Sequence, residues 1–75
     1  MPVHYYHCTN GRDLILDRRG YRTPRKEDVE PIAFAVAGQL MKRAQGAVDW
    51  SEWQVSVQDR KGSMVVVVPF PAGQA

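Results

Sequence analysis

At 75 residues the chain has room for one domain, near the lower limit at which an apolar core suffices without disulfides or metal. Its 44% hydrophobic and 24% charged residues exclude wholesale disorder, its single cysteine excludes an internal disulfide, and no four-ligand zinc spacing occurs. The net charge of +2 is mild, but Arg18, Arg19, Arg22, Arg25 and Lys26 crowd half of the ten basic residues into nine positions.

Taken in chain order, the first stretch from Val3 to Cys8 is rich in aromatic and β-branched residues and stops at Thr9-Asn10-Gly11. That pattern predicts a strand running into a turn. Leu14-Ile15-Leu16 predicts a second short strand, closed by Asp17-Arg18-Arg19-Gly20, so the two suggest a hairpin. Val29, Ile32, Ala33, Val36, Ala37 and Leu40 then recur at spacings of three and four, the stripe of an amphipathic helix.

Pro31 sets where that helix begins. A start at Thr23 would bury the proline ring mid-helix at a cost of ~3 kcal/mol. A start with Asp28 as N-cap puts Pro31 in the first turn, where its missing N–H matters little. Glu27, Asp28 and Glu30 then face the positive end of the helix dipole, Lys42 and Arg43 the negative end, and Gly46 supplies a stop. The expected helix spans about residues 28–45.

Trp53, Val55 and Val57 alternate with Gln54, Ser56 and Gln58, the signature of a half-buried strand. Asp59-Arg60-Lys61-Gly62 reads as a hairpin turn, and Met64 to Val68 as a further strand ended by Pro69. The chain is therefore expected to be one α+β domain over residues 1–75, with an ordered core of about residues 3–70. Its architecture is a two-layer ββαββ unit: a four-stranded, mainly antiparallel sheet with one helix packed on one face. Val29, Ile32, Val36, Leu40, Trp53, Val55 and Val57 are its expected core.

The stretch "HYYHC" at residues 4–8 invites a reading as metal or catalytic chemistry. Strand geometry opposes it. His4, Tyr6 and Cys8 point to one face, Tyr5 and His7 to the other. His4 and Cys8 stand four residues apart, roughly 13 Å, whereas metal ligands lie ~2.0–2.3 Å from one centre. Cys8 also lacks the adjacent base or helix N-terminus that activates a thiol, so it reads as a small core residue. No paired-carboxylate arrangement or phosphate-binding glycine loop is present, and no catalytic residue, metal or cofactor is expected.

Two surfaces carry the candidate functions. "RRGYRTPRK" interleaves Arg18, Arg19, Arg22, Arg25 and Lys26 with Tyr21, which suits a nucleic acid or polyanion through phosphate contacts and base stacking. The same residues also suit a solvated loop, bracketed as they are by Asp17, Glu27 and Asp28. The other surface comes from "MVVVV", which is apolar on both faces: Met64, Val66 and Val68 on one, Val65 and Val67 on the other. Such a strand is usually covered on both sides, and one helix covers only one. Trp50, the tail after Phe70, or another protein molecule would have to screen Val65 and Val67, with Tyr5 or Tyr6 adding to that patch. An interior strand flanked by long side chains is the competing reading.

An opening Met-Pro, aromatic residues, His7, a turn at Gly11, the Asp17-x-x-Gly20 turn, an amphipathic helix and a closing "W…V…D…G…V…PF" together resemble a known pattern. It is that of a family of short bacterial, mainly alphaproteobacterial, proteins known as a domain of unknown function, which commonly start M-P-x-Y-F-F-H. The resemblance covers residues 1–70 and implies a fold but no activity. His4 replaces a frequent aromatic, Arg18 and Arg19 stand where acids are common, and Pro31 interrupts an alanine-rich helix start, so the basic loop reads as peculiar to this chain.

The expected function is a non-catalytic protein-interaction or self-association module, a homodimer through Val65, Val67 and Tyr5. A nucleic-acid or polyanion binder using residues 18–26 is the alternative. The start of the chain shows no basic region followed by an apolar one, and no apolar run approaches the ~20 residues that span a bilayer. With a free thiol, this points to the cytoplasm.

Overall fold

The computed structural model describes residues 3–44 and 48–71. Five strands and one helix follow in the order β1 (Val3–Thr9), β2 (Leu14–Ile15), β3 (Tyr21–Arg22), α1 (Val29–Arg43), β4 (Gln54–Gln58) and β5 (Met64–Pro69). A 3₁₀ turn, Lys26–Asp28, leads into α1. Every pairing is antiparallel. β1 is flanked on one side by β4, with β5 beyond it, and on the other by β2 and β3 in succession. The fold is α+β, with α1 packed on one face of the sheet against β1, β4 and β5.

The strand count exceeds the expected four because Tyr21–Arg22, read from sequence as part of a loop, pairs with β1. β2 occupies only Cys8 and Thr9 of β1, and β3 only Val3 and His4. Between them Asp17 serves the backbone that neither strand reaches. Its Oδ2 accepts the Tyr6 N–H at 3.1 Å, and its Oδ1 accepts those of Arg19 and Gly20 at 3.1 and 3.0 Å. In return the Asp17 N–H donates to His7 Nδ1 at 3.0 Å. Gly20 closes this turn at φ 78°, where a Cβ would stand 2.6 Å from Val3 Cγ1, so both conformation and space exclude a side chain.

The two hairpin turns are tied by side chains in the same manner. Asn10 Oδ1 accepts the Arg12 and Asp13 N–H groups, and Asp59 Oδ1 accepts those of Lys61 and Ser63. These are local Asx interactions that release the chain from strand geometry.

α1 begins at Val29, as Pro31 requires, but Asp28 makes no side-chain cap hydrogen bond. The 3₁₀ turn already holds Asp28 in a helical conformation, its N–H donating to the Arg25 carbonyl at 3.0 Å. The helix ends at Arg43, two residues before the expected boundary, while Gly46 lies outside the described residues. Its most buried residues are Val29, Ala33 and Ala37, spaced by four. Ile32, Val36 and Leu40, expected in the core, are only partly buried beside it, as is Trp53. Alanines on the contact line let the helix approach the sheet, and the larger side chains fill the flanks.

From the sheet, Tyr6, Cys8, Val55, Val57, Val68 and Phe70 meet that helix face. Trp50 and Trp53 close one end of the core, Trp50 stacking on Phe70 at 5.5 Å and meeting Trp53 edge-on at 5.3 Å.

β5 departs from the expected alternation. The register slips between Val57↔Val66 and Gln58↔Met64, leaving Val65 as the extra residue of a β-bulge. Met64, expected beside Val66 and Val68, turns instead to the outer face, where its sulfur accepts from Ser56 Oγ at 3.2 Å.

If Asp17 holds β1 together, the nearly isosteric Asp17→Asn should lower stability by ~1–3 kcal/mol, because one of two accepting oxygens becomes a donor. Arg18→Ala, one residue on and exposed, should stay within ~0.5 kcal/mol of the parent. Urea midpoints compare the two; equal midpoints for Asp17→Asn and the parent would refute the role.

Candidate interaction surfaces

The residues of the opening aromatic stretch are divided between the two faces and tied into the fold. Tyr6 and Cys8 are 2% and 3% exposed beneath the helix. The Tyr5 and His7 rings stack at 6.4 Å. His7 Nδ1 accepts the Asp17 N–H, so in this arrangement the imidazole proton sits on Nε2. Among the described residues, no three His, Cys, Asp or Glu side chains gather as metal ligands would.

Burial, with a smaller contribution from the Asp17 charge, pushes the Cys8 thiol up to about 11. Burial also raises the Tyr6 phenol. Thr23 Oγ1 donates to the Tyr21 carbonyl at 3.2 Å, which leaves Tyr6 O–H as donor to Thr23 Oγ1 at 3.0 Å. Thr23, 1% exposed, thus relays β1 to β3 inside the core.

The outer face of the sheet carries rows of side chains across three strands. His7, Ser56 and Val67 lie abreast, as do Tyr5, Gln58 and Met64. Polar residues of β4 occupy the middle, and the apolar ones gather along β5. Met64, Val65 and Val67 are 57%, 41% and 43% exposed. β5 is an edge strand, which overturns the competing reading of the valine run as an interior strand. Nor does Trp50 screen Val65 and Val67, since it packs against the core cluster with Phe70.

Arg18, Arg19, Arg22, Arg25 and Lys26 are all exposed, spread over the Asp17 turn, β3 and the approach to α1. Arg25 Nε lies 3.8 Å from Asp28 Oδ2, the single ion pair among the described residues. Tyr21, expected to offer a stacking ring there, instead meets Tyr6 edge-on at 5.3 Å and is half committed to the core side.

A third surface was not anticipated from sequence. Between the β2–β3 side of the sheet and the second half of α1 runs a cleft of about 270 Å³, walled by Ile15, Leu16, Tyr21 and Leu40, with Gln39 and Arg43 also lining it. Leu14-Ile15-Leu16 was expected as a short strand, and all three residues are exposed. The available signal was that three successive large apolar residues cannot share one face.

A small α+β domain built on a bridging Asp-x-x-Gly turn is the class these features define. The chain belongs to the family of DUF6894, a domain of unknown function whose family model matches residues 3–71. No curated protein and no solved structure matches it. No helix among the described residues is long and apolar enough to cross a membrane.

The raised Cys8 thiol has a definite pH consequence. In the unfolded chain it ionises near 9, in the fold near 11, so its contribution is complete below pH 9 and lost as pH rises to 11. The parent should lose up to ~3 kcal/mol of stability over that window relative to Cys8→Val. Denaturant titrations at pH 8, 9, 10 and 11 test this; parallel pH profiles for the two proteins would exclude it.

Proposed function

We propose that the chain is a non-catalytic protein-interaction module that pairs with a second copy through the outer face of β5. The observation that carries this reading is the exposure of Met64, Val65 and Val67 side by side on the face opposite the helix, with Tyr5 on the same face beyond the polar row of β4. Exposed apolar clusters on small soluble domains mark contact surfaces. Two-fold pairing is the commonest way a surface covers itself. The absence of catalysis is supported by how the reactive groups are used: the Cys8 thiol is buried and neutral, and the Asp17 carboxylate is filled by backbone donors. A free thiol suits a reducing compartment, and we propose the cytoplasm.

Sedimentation across a concentration series should show the parent dimerising by high micromolar concentration. Val65→Lys and Val67→Lys should remain folded monomers, because the dimer would have to desolvate an unpaired charge. Phe34→Lys, exposed on the helix, should dimerise like the parent. A parent that is monomeric throughout would defeat the self-association.

One observation favours a second reading, a nucleic-acid or polyanion binder. Of the five clustered cations only Arg25 has an acidic side chain within 4 Å among the described residues. Phosphate binding by the others would make affinity fall steeply with salt, and Arg18→Ala with Arg19→Ala would weaken all sequences alike. Absence of binding to single- or double-stranded DNA and RNA at low salt would end it.

A further inference from the structure

The sheet has two free sides, and they are built differently. β5 carries a bulge at Val65 and ends on Pro69, devices that prevent another strand from adding. β2 has neither. It pairs with β1 alone, so the backbone of Leu14–Ile15 is without a strand on its far side. Beside it Leu14, Ile15 and Leu16 are 57%, 44% and 51% exposed, and Ile15 and Leu16 lead directly into the cleft above Cys8. An open strand edge beside an apolar cleft has the two parts of a β-addition site: main-chain hydrogen bonds for attachment and a pocket for one side chain.

The surrounding charges select the occupant. Asp13 and Asp17 flank this edge directly, but four arginines outnumber them: Arg12, Arg18, Arg19 and, lining the cleft from α1, Arg43. None of these arginines has an acidic side chain within 4 Å among the described residues. Of the two carboxylates, that of Asp17 lines the cleft but already accepts three backbone N–H groups, which leaves Asp13 against the four arginines. A second copy docked here would set arginines against arginines, whereas an acidic segment would pair them.

We propose that the free edge of β2 and its cleft bind an extended, acidic segment of a partner protein. The segment adds as a strand beside Leu14–Ile15. One apolar side chain enters between Ile15, Leu16, Tyr21 and Leu40, and flanking carboxylates face Arg43 and the arginines of the adjoining turns. This surface is separate from the outer face of β5, so the proposal stands or falls independently of the dimer.

The test is fluorescence anisotropy with a labelled peptide of alternating glutamate and valine or leucine, titrated with the full chain. It should bind in a salt-sensitive manner, while the same peptide with lysine for glutamate should not. Prolines at alternate positions, which remove main-chain donors, should weaken binding at least ~10-fold. Leu16→Glu should weaken it comparably. Arg43→Glu should weaken the acidic peptide and strengthen the lysine peptide, an inversion that loss of folding could not produce. Val65→Lys should leave affinity unchanged. Equal affinity for the two peptides, or undiminished binding by folded Leu16→Glu, would overturn the proposal. So would a parent dimer that Leu16→Glu dissociates, since the occupant would then be a second copy.

Discussion

One carboxylate makes the central strand possible. β1 is paired along one side by β4, but on the other it is shared between two strands of two residues each, and neither reaches its middle. Left alone, the Tyr6 N–H would be a buried donor with no acceptor, which costs far more than an ordinary hydrogen bond contributes. Asp17 supplies that acceptor and, with its second oxygen, folds the turn that delivers β3. Since His7 accepts the Asp17 N–H, the two residues fix one another. The Asp-x-x-Gly turn is thus a structural joint. Its glycine is required by the closeness of Val3 as much as by its positive φ.

The helix is held by shape more than by bulk. A contact line of Val29, Ala33 and Ala37 sets its distance from Val55 and Val57, all five being almost fully buried. For so short a chain this is economical: small residues let one helix cover three strands, and the aromatic trio of Trp50, Trp53 and Phe70 plugs the end that the helix leaves open. Cys8 belongs to the same packing and is chemically quiet because of it.

Much of this was legible in the sequence, since alternation in β4 and the three-four spacing of α1 are local patterns that tertiary structure reinforced. The position of Pro31 was enough to place the start of the helix at Val29. What escaped was non-local. Tyr21–Arg22 has no strand pattern of its own, and becomes one only because Asp17 brings it beside Val3 and His4. A strict period of two put Met64 on the face shared with Val66 and Val68, and the bulge at Val65 undid that assignment. Large apolar residues drew the core reading toward Ile32, Val36 and Leu40, although close approach favours the alanines between them. Of the candidate surfaces, exposure of Val65 and Val67 followed from counting helices, whereas the cleft needs the relative placement of β2 and α1, which no short window contains.

The unequal sides of the sheet also bear on how large any assembly can grow. A sheet with two open edges is a two-ended monomer: each addition exposes a fresh edge, and the product is a fibre. Here the bulge and Pro69 act as a terminator at one end, so strand addition has a valence of one and stops after a single step. A chain whose valines are exposed along β5 can therefore offer them for contact face-on without seeding a polymer through its backbone.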